Sequence, residues 1–373
     1  MSLNLLYTDV EDDLRSSVRD LVAARSEPNT VLGIYDGDRS VVDPLWRAIA
    51  GDLGLAGLLI PEERGGAGAS AREAAVVLEE LGRSVAPVPF LTSSVVATTV
   101  LLAAAPGGAA DELLAGLAAG ERTAALVLPL SAGPGEESPA FSAEEGRISG
   151  SARSVAGAIE ADVLLVPVAT AGGTAVYAVA AADARIEPVV SLDMTRQLAD
   201  VTLEGVAGQE LLGAGEGGDA VRRGLEVGAA LLTSEQYGVA QWCLTTTIAY
   251  LKDRRQFGRV VGGYQALKHR LADLYAAVES AGAAARYAAA ATADEDPETV
   301  VATAVAQSFC SDVAVKAAEE AVQLHGGIGM TWEHPAHLYL KRAKADQIAL
   351  GTPAAHRARL AELVDLPAPA PVG

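Results

Sequence analysis

Lys252-Asp-Arg-Arg-Gln-Phe-Gly-Arg-Val-Val-Gly-Gly-Tyr-Gln-Ala-Leu-Lys-His-Arg270 holds six Lys or Arg against one Asp and separates two helical patterns. Upstream, Leu232, Val239, Cys243 and Tyr250 mark one face of a helix that could run from Asp219 to Asp253, about 50 Å at 1.5 Å per residue. Downstream, Leu267, Leu271, Leu274 and Val278 mark a second helix. A third is announced by Asp296 as N-cap and Pro297 at the first helical position, with Val301, Val305 and Phe309 following. A fourth begins after Pro335 and runs past Arg342. Four long helices with short connections predict an antiparallel four-helix bundle over residues 216–373.

Residues 1–122 read as a helical domain. Val18, Leu21 and Val22 repeat at helical spacing, and Ala75, Leu78 and Leu81 line one face of a helix from Ala71 to Gly82, with Gly82 as its C-cap. Pro87 and Pro89 interrupt the chain before another apolar helix opens at Thr92. Between these helical regions, residues 123–215 change period. Short runs at 125–128, 162–168, 174–179 and 199–203 are strand-like and bounded by Gly, Pro and Asp, as a small sheet or barrel requires. The segment Ser131 to Ser138 is a Gly- and Pro-rich connection. The expected class is mainly α with a central β-barrel domain.

At 373 residues the chain is long enough for two or three domains, and 50% hydrophobic against 20% charged residues is an ordinary globular balance. A net charge of -20 disfavours nucleic acid and anionic membrane surfaces as partners. That charge is uneven: segments 252–270 and 341–359 hold 11 of the 28 basic residues and 2 of the 48 acidic ones. Cys243 and Cys310 lack metal or redox spacing, which fits a reducing cytoplasm. The N-terminus reaches Asp9, Glu11, Asp12 and Asp13 without the basic and apolar regions of a secretory signal. The run from Ser94 to Pro106 is too short for a membrane span of about 20 residues.

Several motifs have ordinary explanations. Gly66-Ala-Gly-Ala-Ser-Ala71 fits G-x-G-x-x-A, but Pro61 to Gly65 separates it from the preceding apolar run, so a tight turn explains the glycines. His334 and His337 flank Pro335, which spoils a regular ligand-bearing helix face, and no metal site is expected. His269 and His325 read as isolated structural or surface histidines, and no serine nucleophile elbow is present. The basic segments are harder to set aside. A guanidinium at Arg255, beside Gln256 and the N–H groups of a glycine turn, suits a pyrophosphate as well as a helix C-terminus. Gln323-Leu-His-Gly-Gly-Ile-Gly329 similarly ends a helix in glycines that permit close backbone approach.

These residues resemble the acyl-CoA dehydrogenase family. Arg255-Gln-Phe-Gly258, Tyr264-Gln265 and Leu271-Ala-Asp273 look like its R-x-Q-F-G motif and following helix, and Gln323-Leu-His-Gly-Gly327 looks like its Q-x-x-G-G. The N-terminal run Leu53 to Gly68 and Glu79 to Arg83 are also similar, so the likeness spans most of the chain. It implies a helical domain, a β-barrel and a four-helix bundle, in a tetramer that binds FAD and acyl-CoA and passes electrons to an acceptor such as electron-transfer flavoprotein. It also implies that Arg255, Gln256, Phe257, Gln265, Gln323, Gly326 and Gly327 reach the ADP half of a partner's FAD, while Gly351-Thr352 matches a flavin contact.

The family removes an α-proton with a glutamate while a hydride leaves the β-carbon for the flavin. Here Leu350 and Gly228 occupy the two positions where members place that base, so no catalytic residue is identified. Val127-Leu-Pro129 stands for the family's T-E-P strand, and Ser154 replaces the tryptophan beside the flavin ring. The pattern is similar to the base-lacking subunit of actinobacterial heteromeric acyl-CoA dehydrogenases of steroid side-chain degradation, with a homologous subunit completing a heterotetramer. The alternatives are a self-sufficient homotetramer whose base has moved to Glu226, Glu235 or Asp346, and a non-enzymatic nucleic-acid-binding relative.

Overall fold

The computed structural model describes residues 3–135 and 140–367. A capping box opens α1 (Asp9–Arg25): the Thr8 hydroxyl accepts from the Glu11 N–H at 3.2 Å, and the Thr8 N–H donates to the Glu11 carboxylate at 2.6 Å. Short helices α2 (Pro28–Leu32) and α3 (Val42–Arg47) lead to α4 (Ala71–Arg83), where Ser70 and Glu73 repeat the box. Gly66 and Gly68 form a turn after a 3-10 segment, with no strand before it, as a tight turn predicts. A π-type turn over Phe90–Ala97 passes into α5 (Thr98–Leu102), and α6 (Ala109–Ala118) ends the N-terminal region.

The chain then forms β1 (Ala124–Leu126), β2 (Phe141–Glu144), β3 (Arg147–Ala156), β4 (Val163–Thr170), β5 (Gly173–Ala180), β6 (Arg185–Val189), β7 (Leu198–Ala207) and β8 (Gln209–Leu212). They pair in the order β6-β7-β3-β2-β4-β5-β8, with β1 and β2 both parallel to β4 along its edge. The four strand-like runs of the sequence correspond to β1, β4, β5 and β7. The other strands escape that reading because β2, β6 and β8 are short and largely exposed, and β3 is interrupted by two register shifts. Residues 136–138 of the expected loop lie outside the described residues.

The helical region contains α7 (Gly217–Asp253), a hairpin of β9 (Arg255–Gln256) and β10 (Arg259–Val260), α8 (Gln265–Ala293), α9 (Thr299–His325), α10 (Ala336–Ile348) and α11 (Pro353–Leu363). Helix α9 packs against α7, α8, α10 and α11. With its following turn it is long and apolar enough to cross a membrane by composition, but 61% of its most apolar window is buried within the fold.

Four expectations about the helices need correction. Helix α9 starts at Thr299 because the Asp296 carboxylate accepts the Glu298 N–H at 2.8 Å, forming an Asx turn outside the helix. Its Val305 and Phe309 are 41% and 39% exposed, while small residues such as Ala306, Cys310 and Ala314 face the core, where the Cys310 thiol donates to the Ala281 carbonyl of α8 at 3.3 Å. The fourth helix is two helices, broken where Leu350 and Gly351 take φ of 54° and 99°.

Gly82 is no C-cap, since α4 continues to Arg83. A Cβ on Gly82 would stand 2.2 Å from the Glu235 carbonyl oxygen, and one on Gly238 would stand 2.0 Å from the Glu79 carbonyl oxygen. The two glycines let α4 and α7 cross backbone to backbone, which seats the N-terminal helices on the bundle.

Candidate functional site

The positions where the family's flavin-side groups stand converge in space. The Leu350 N–H donates to the Leu130 carbonyl at 2.8 Å, and the Leu130 N–H donates to the Ser154 carbonyl at 3.0 Å. A Cβ on Gly228 would lie 3.1 Å from Leu350 Cδ1 and 2.6 Å from Val96 Cγ2, so the two base positions face each other across one slot. The slot is walled by Leu91, Val96, Leu128, Pro129, Leu225 and Leu350, and only about 30 Å³ of it is wide enough for water. An isoalloxazine ring with a thioester does not fit such a space. A glutamate at 228 would drive Val96 aside before it met a substrate.

No carboxylate lines the slot among the described residues. Glu226 is paired to Arg359 at 2.7 Å. Glu235 and Asp346 belong to a buried cluster with Arg196, Arg342 and Asp193. Arg342 bridges Asp193 at 2.8 Å and Glu235 at 2.5 Å, and Arg196 bridges Glu235 at 2.6 Å and Asp346 at 2.8 Å. Burial opposes ionisation of Glu235, but the two guanidiniums overcome it and hold its pKa below the usual value. Asp346 is pushed up to about 8, first by burial and then by the charge of Glu235. Its Oδ2 has no partner.

The Asp346 shift sets a pH dependence of stability. Folded Asp346 keeps its proton to about pH 8 while the unfolded chain releases it near the ordinary carboxylate value of 3.8, so the folded state binds more protons across that window. The contribution of this group to stability is greatest at low pH and falls as pH rises through the window. Asp346→Asn cannot ionise, so its urea midpoint is expected to gain on that of the parent chain between pH values near 5 and near 8. A difference that does not change with pH would mean that Asp346 is ionised throughout.

The second set of motif residues lies at the far end of α7. There β9 and β10 pair with Arg259 opposite Gln256 and Val260 opposite Arg255, leaving Phe257 and Gly258 as a two-residue turn with φ of 52° and 74°. Positive φ at both positions is the type I′ geometry that matches strand twist. Phe257 takes this conformation at a cost an L-residue rarely bears, and its ring is 89% exposed. Arg255 and Gln256 are exposed as well, and Arg255 makes no side-chain hydrogen bond or ion pair among the described residues.

The end of α9 comes to the same end of the bundle. Tyr250 stacks on His325 with centroids 4.5 Å apart, and Arg270 pairs with Glu320 at 2.7 Å. Gln265 lies 3.4 Å from His269, and Gln323, Gly326 and Gly327 are exposed beyond His325. His325 is therefore not isolated, for its ring also stands 4.1 Å from that of His334. Burial holds the pKa of His334 and His337 down at about 4. Thr352 does not join this group. Its hydroxyl caps α11 by accepting the Ala355 N–H at 3.2 Å, and Arg357 of that helix reaches Asp312 at the middle of α9. An unpaired guanidinium, amide side chains and glycine N–H groups are the donors that a pyrophosphate takes.

Helices, central sheet and bundle, with these motif residues at their stations, define an acyl-CoA dehydrogenase, and the chain belongs to that family of oxidoreductases. The family's N-terminal domain matches residues 8–121 and its C-terminal domain matches residues 215–364. Acyl-CoA dehydrogenase IpdE2 of Mycobacterium tuberculosis is 37% identical over 91% of this chain and 92% of its own length. A solved variant of the Tcur3481-Tcur3483 steroid ACAD is 30% identical, with a TM-score of 0.83 over 96% of this chain and 98% of that one. The ChsE4-ChsE5 complex from Mycobacterium tuberculosis is 28% identical, with a TM-score of 0.85 over 98% of this chain and 100% of that one. Members of the family use FAD.

Proposed function

We propose that this chain is the base-lacking subunit of a FAD-dependent, heteromeric acyl-CoA dehydrogenase acting on CoA thioesters of steroid-derived acids. The observation that carries the reading is the closed, carboxylate-free slot between Leu350 and Gly228. The open donor set at the other end of the bundle supports it from the opposite side. Similarity to a steroid ACAD built from two named chains, and to the ChsE4-ChsE5 complex, supports the assembly and the substrate class.

In this reading a homologous subunit contributes the glutamate that takes the α-proton of the thioester. FAD, when bound, supplies the acceptor for the hydride that leaves the β-carbon, so two electrons and one proton go to the flavin and one proton to the glutamate. Arg255, Gln256, Phe257, Gln265, Gln323, Gly326 and Gly327 hold the ADP half of that FAD. Arg255 neutralises pyrophosphate charge, and the exposed Phe257 offers an apolar surface at the tip of the turn. Thr352, which caps α11, is left out of this set. An electron-transfer flavoprotein is the expected acceptor, and the cytoplasm the expected compartment.

The test is purification of the chain alone and together with a homologous subunit that carries glutamate at the base position. Alone, the chain is expected to be colourless and inactive; together, the two should retain one FAD per pair of chains and oxidise acyl-CoA. A yellow, fully active assembly of this chain by itself would overturn the reading.

A further inference from the structure

A groove of about 290 Å³ opens where α1 and the end of α4 face α7 and α10, and it shares no lining residue with the slot. Its floor is aromatic: the Trp242 indole lies on the Tyr339 phenol with centroids 3.5 Å apart and ring planes 4° apart. The Tyr339 hydroxyl donates to the Arg83 carbonyl at 2.8 Å, which fixes the floor to the end of α4. Val22 and Ala23 of α1 supply an apolar wall.

The polar groups on the groove are unevenly satisfied. Glu80 is fully engaged, receiving Arg19 through two bonds of 2.9 and 2.6 Å and Arg15 at 3.4 Å. The Ser84 hydroxyl donates to the Glu80 carbonyl at 2.7 Å. Arg83 is different, because its guanidinium makes one bond, from Nη1 to Gln241 Oε1 at 3.0 Å, and its remaining N–H groups have no protein acceptor among the described residues. Ser26 lines the groove, is 5% exposed, and its hydroxyl has no partner. The groove thus has the spare N–H groups and positive charge of Arg83 and a flat apolar floor. Glu27, exposed at the mouth, disfavours a dianion such as a phosphate monoester.

We propose that this groove is a binding site for a small monocarboxylate with a flat or cyclic apolar body. The ring lies against Trp242 and Val22, and the carboxylate takes the free N–H groups of Arg83. The pairing gives the half-buried guanidinium the anion it lacks. The site is independent of the flavin reading, since it shares no residue with the slot or with the exposed donor set. Because its walls come from α1, α4, α7 and α10, an occupant also braces the N-terminal helices against the bundle.

Benzoate and its neutral isostere benzamide, titrated into the full chain by saturation-transfer NMR and by thermal melting, test the proposal. Benzoate is expected to saturate and to raise Tm, with benzamide weaker by about tenfold or more, the difference a charge-assisted hydrogen bond makes. Arg83→Gln, which keeps the backbone carbonyl that holds Tyr339, should erase the preference for benzoate. Ala23→Trp, which fills the groove, should abolish binding of both. Failure of benzoate to saturate, equal binding of benzoate and benzamide, or undiminished binding to Arg83→Gln would each overturn it, whatever the flavin experiment shows.

Discussion

Arg342→Met is expected to lower the unfolding free energy by about 3–5 kcal/mol, the loss typical of breaking a buried ion pair from one side. The cluster it leaves is balanced in the parent protein. Arg196 and Arg342 oppose ionised Asp193 and Glu235, while Asp346, pushed up to about 8, keeps its proton at neutral pH. Methionine fills similar space but leaves one negative charge in excess at side chains that are 1% and 2% exposed. Asp193 retains the Thr195 N–H at 2.9 Å and Glu235 retains Arg196 at 2.6 Å, so both stay desolvated and only part of their compensation remains. The damage is also topological: Asp193, Thr195 and Arg196 come from the β6–β7 connection, Glu235 from α7 and Arg342 from α10, so the cluster fastens the sheet to the bundle. Urea midpoints at neutral pH measure the loss, and Arg342→Lys should fall between, since a single ammonium keeps the charge without bridging both carboxylates. A midpoint shift within about 0.5 kcal/mol of the parent would mean that the cluster does not hold the fold.

Much of this architecture is legible in the sequence because its elements are long and locally consistent. The apolar period places helix α7 over 219–253, and it spans Gly217–Asp253, since an apolar face sustained over that length has no competing period. The reading fails where tertiary contact overrides local pattern. Val305 and Phe309 look like a core face, yet the alanine side of α9 is buried because small residues permit the closer helix approach. Gly82 looks like a C-cap, and only the Glu235 carbonyl across from it reveals why a side chain is excluded. The buried ionic cluster could not be read at all. Asp193, Arg196, Glu235, Arg342 and Asp346 lie on three separate elements, and nothing in their spacing marks them as neighbours.

The site divides in the same way. Arg255, Gln265 and Gln323 stand out because motif and structure agree on one end of the bundle, where sequence-local turns place them. The vacated side was legible only as substitutions at positions known from the resemblance. That Leu350 and Gly228 meet in one slot, and that Val96 and Leu225 close it, depends on contacts between segments over a hundred residues apart. The slot sharpens the meaning of those substitutions. Loss of a carboxylate alone would leave an empty pocket that a relocated base could serve, whereas a slot narrowed by Val96, Leu225 and Leu350 offers such a base little space.

Arg255→Ala, introduced into the co-assembled enzyme, is expected to weaken FAD retention by about 10- to 100-fold, as loss of a charge-assisted contact to a phosphate implies. The residue is suited to that test because it contributes little to the fold. Its side chain is exposed and unpaired, and its backbone pairing with Val260 in the β9–β10 hairpin survives truncation to alanine. Arg259, four residues on, provides the contrast: its guanidinium already donates to the Gly263 carbonyl at 2.6 Å and covers the Tyr264 ring at 4.3 Å, so its truncation should disturb the loop more than the cofactor. Arg255→Lys keeps the charge but not the planar fork and should fall between the parent and the alanine variant. The measurement is the dissociation constant of FAD from the stripped assembly, followed by flavin fluorescence, with assembly mass checked separately. If FAD binding is unchanged while the assembly stays intact, the ADP half is held elsewhere. If the alanine variant loses FAD but regains turnover at high added FAD, Arg255 acts by retaining the cofactor, and the chemistry belongs to the subunit that carries the glutamate.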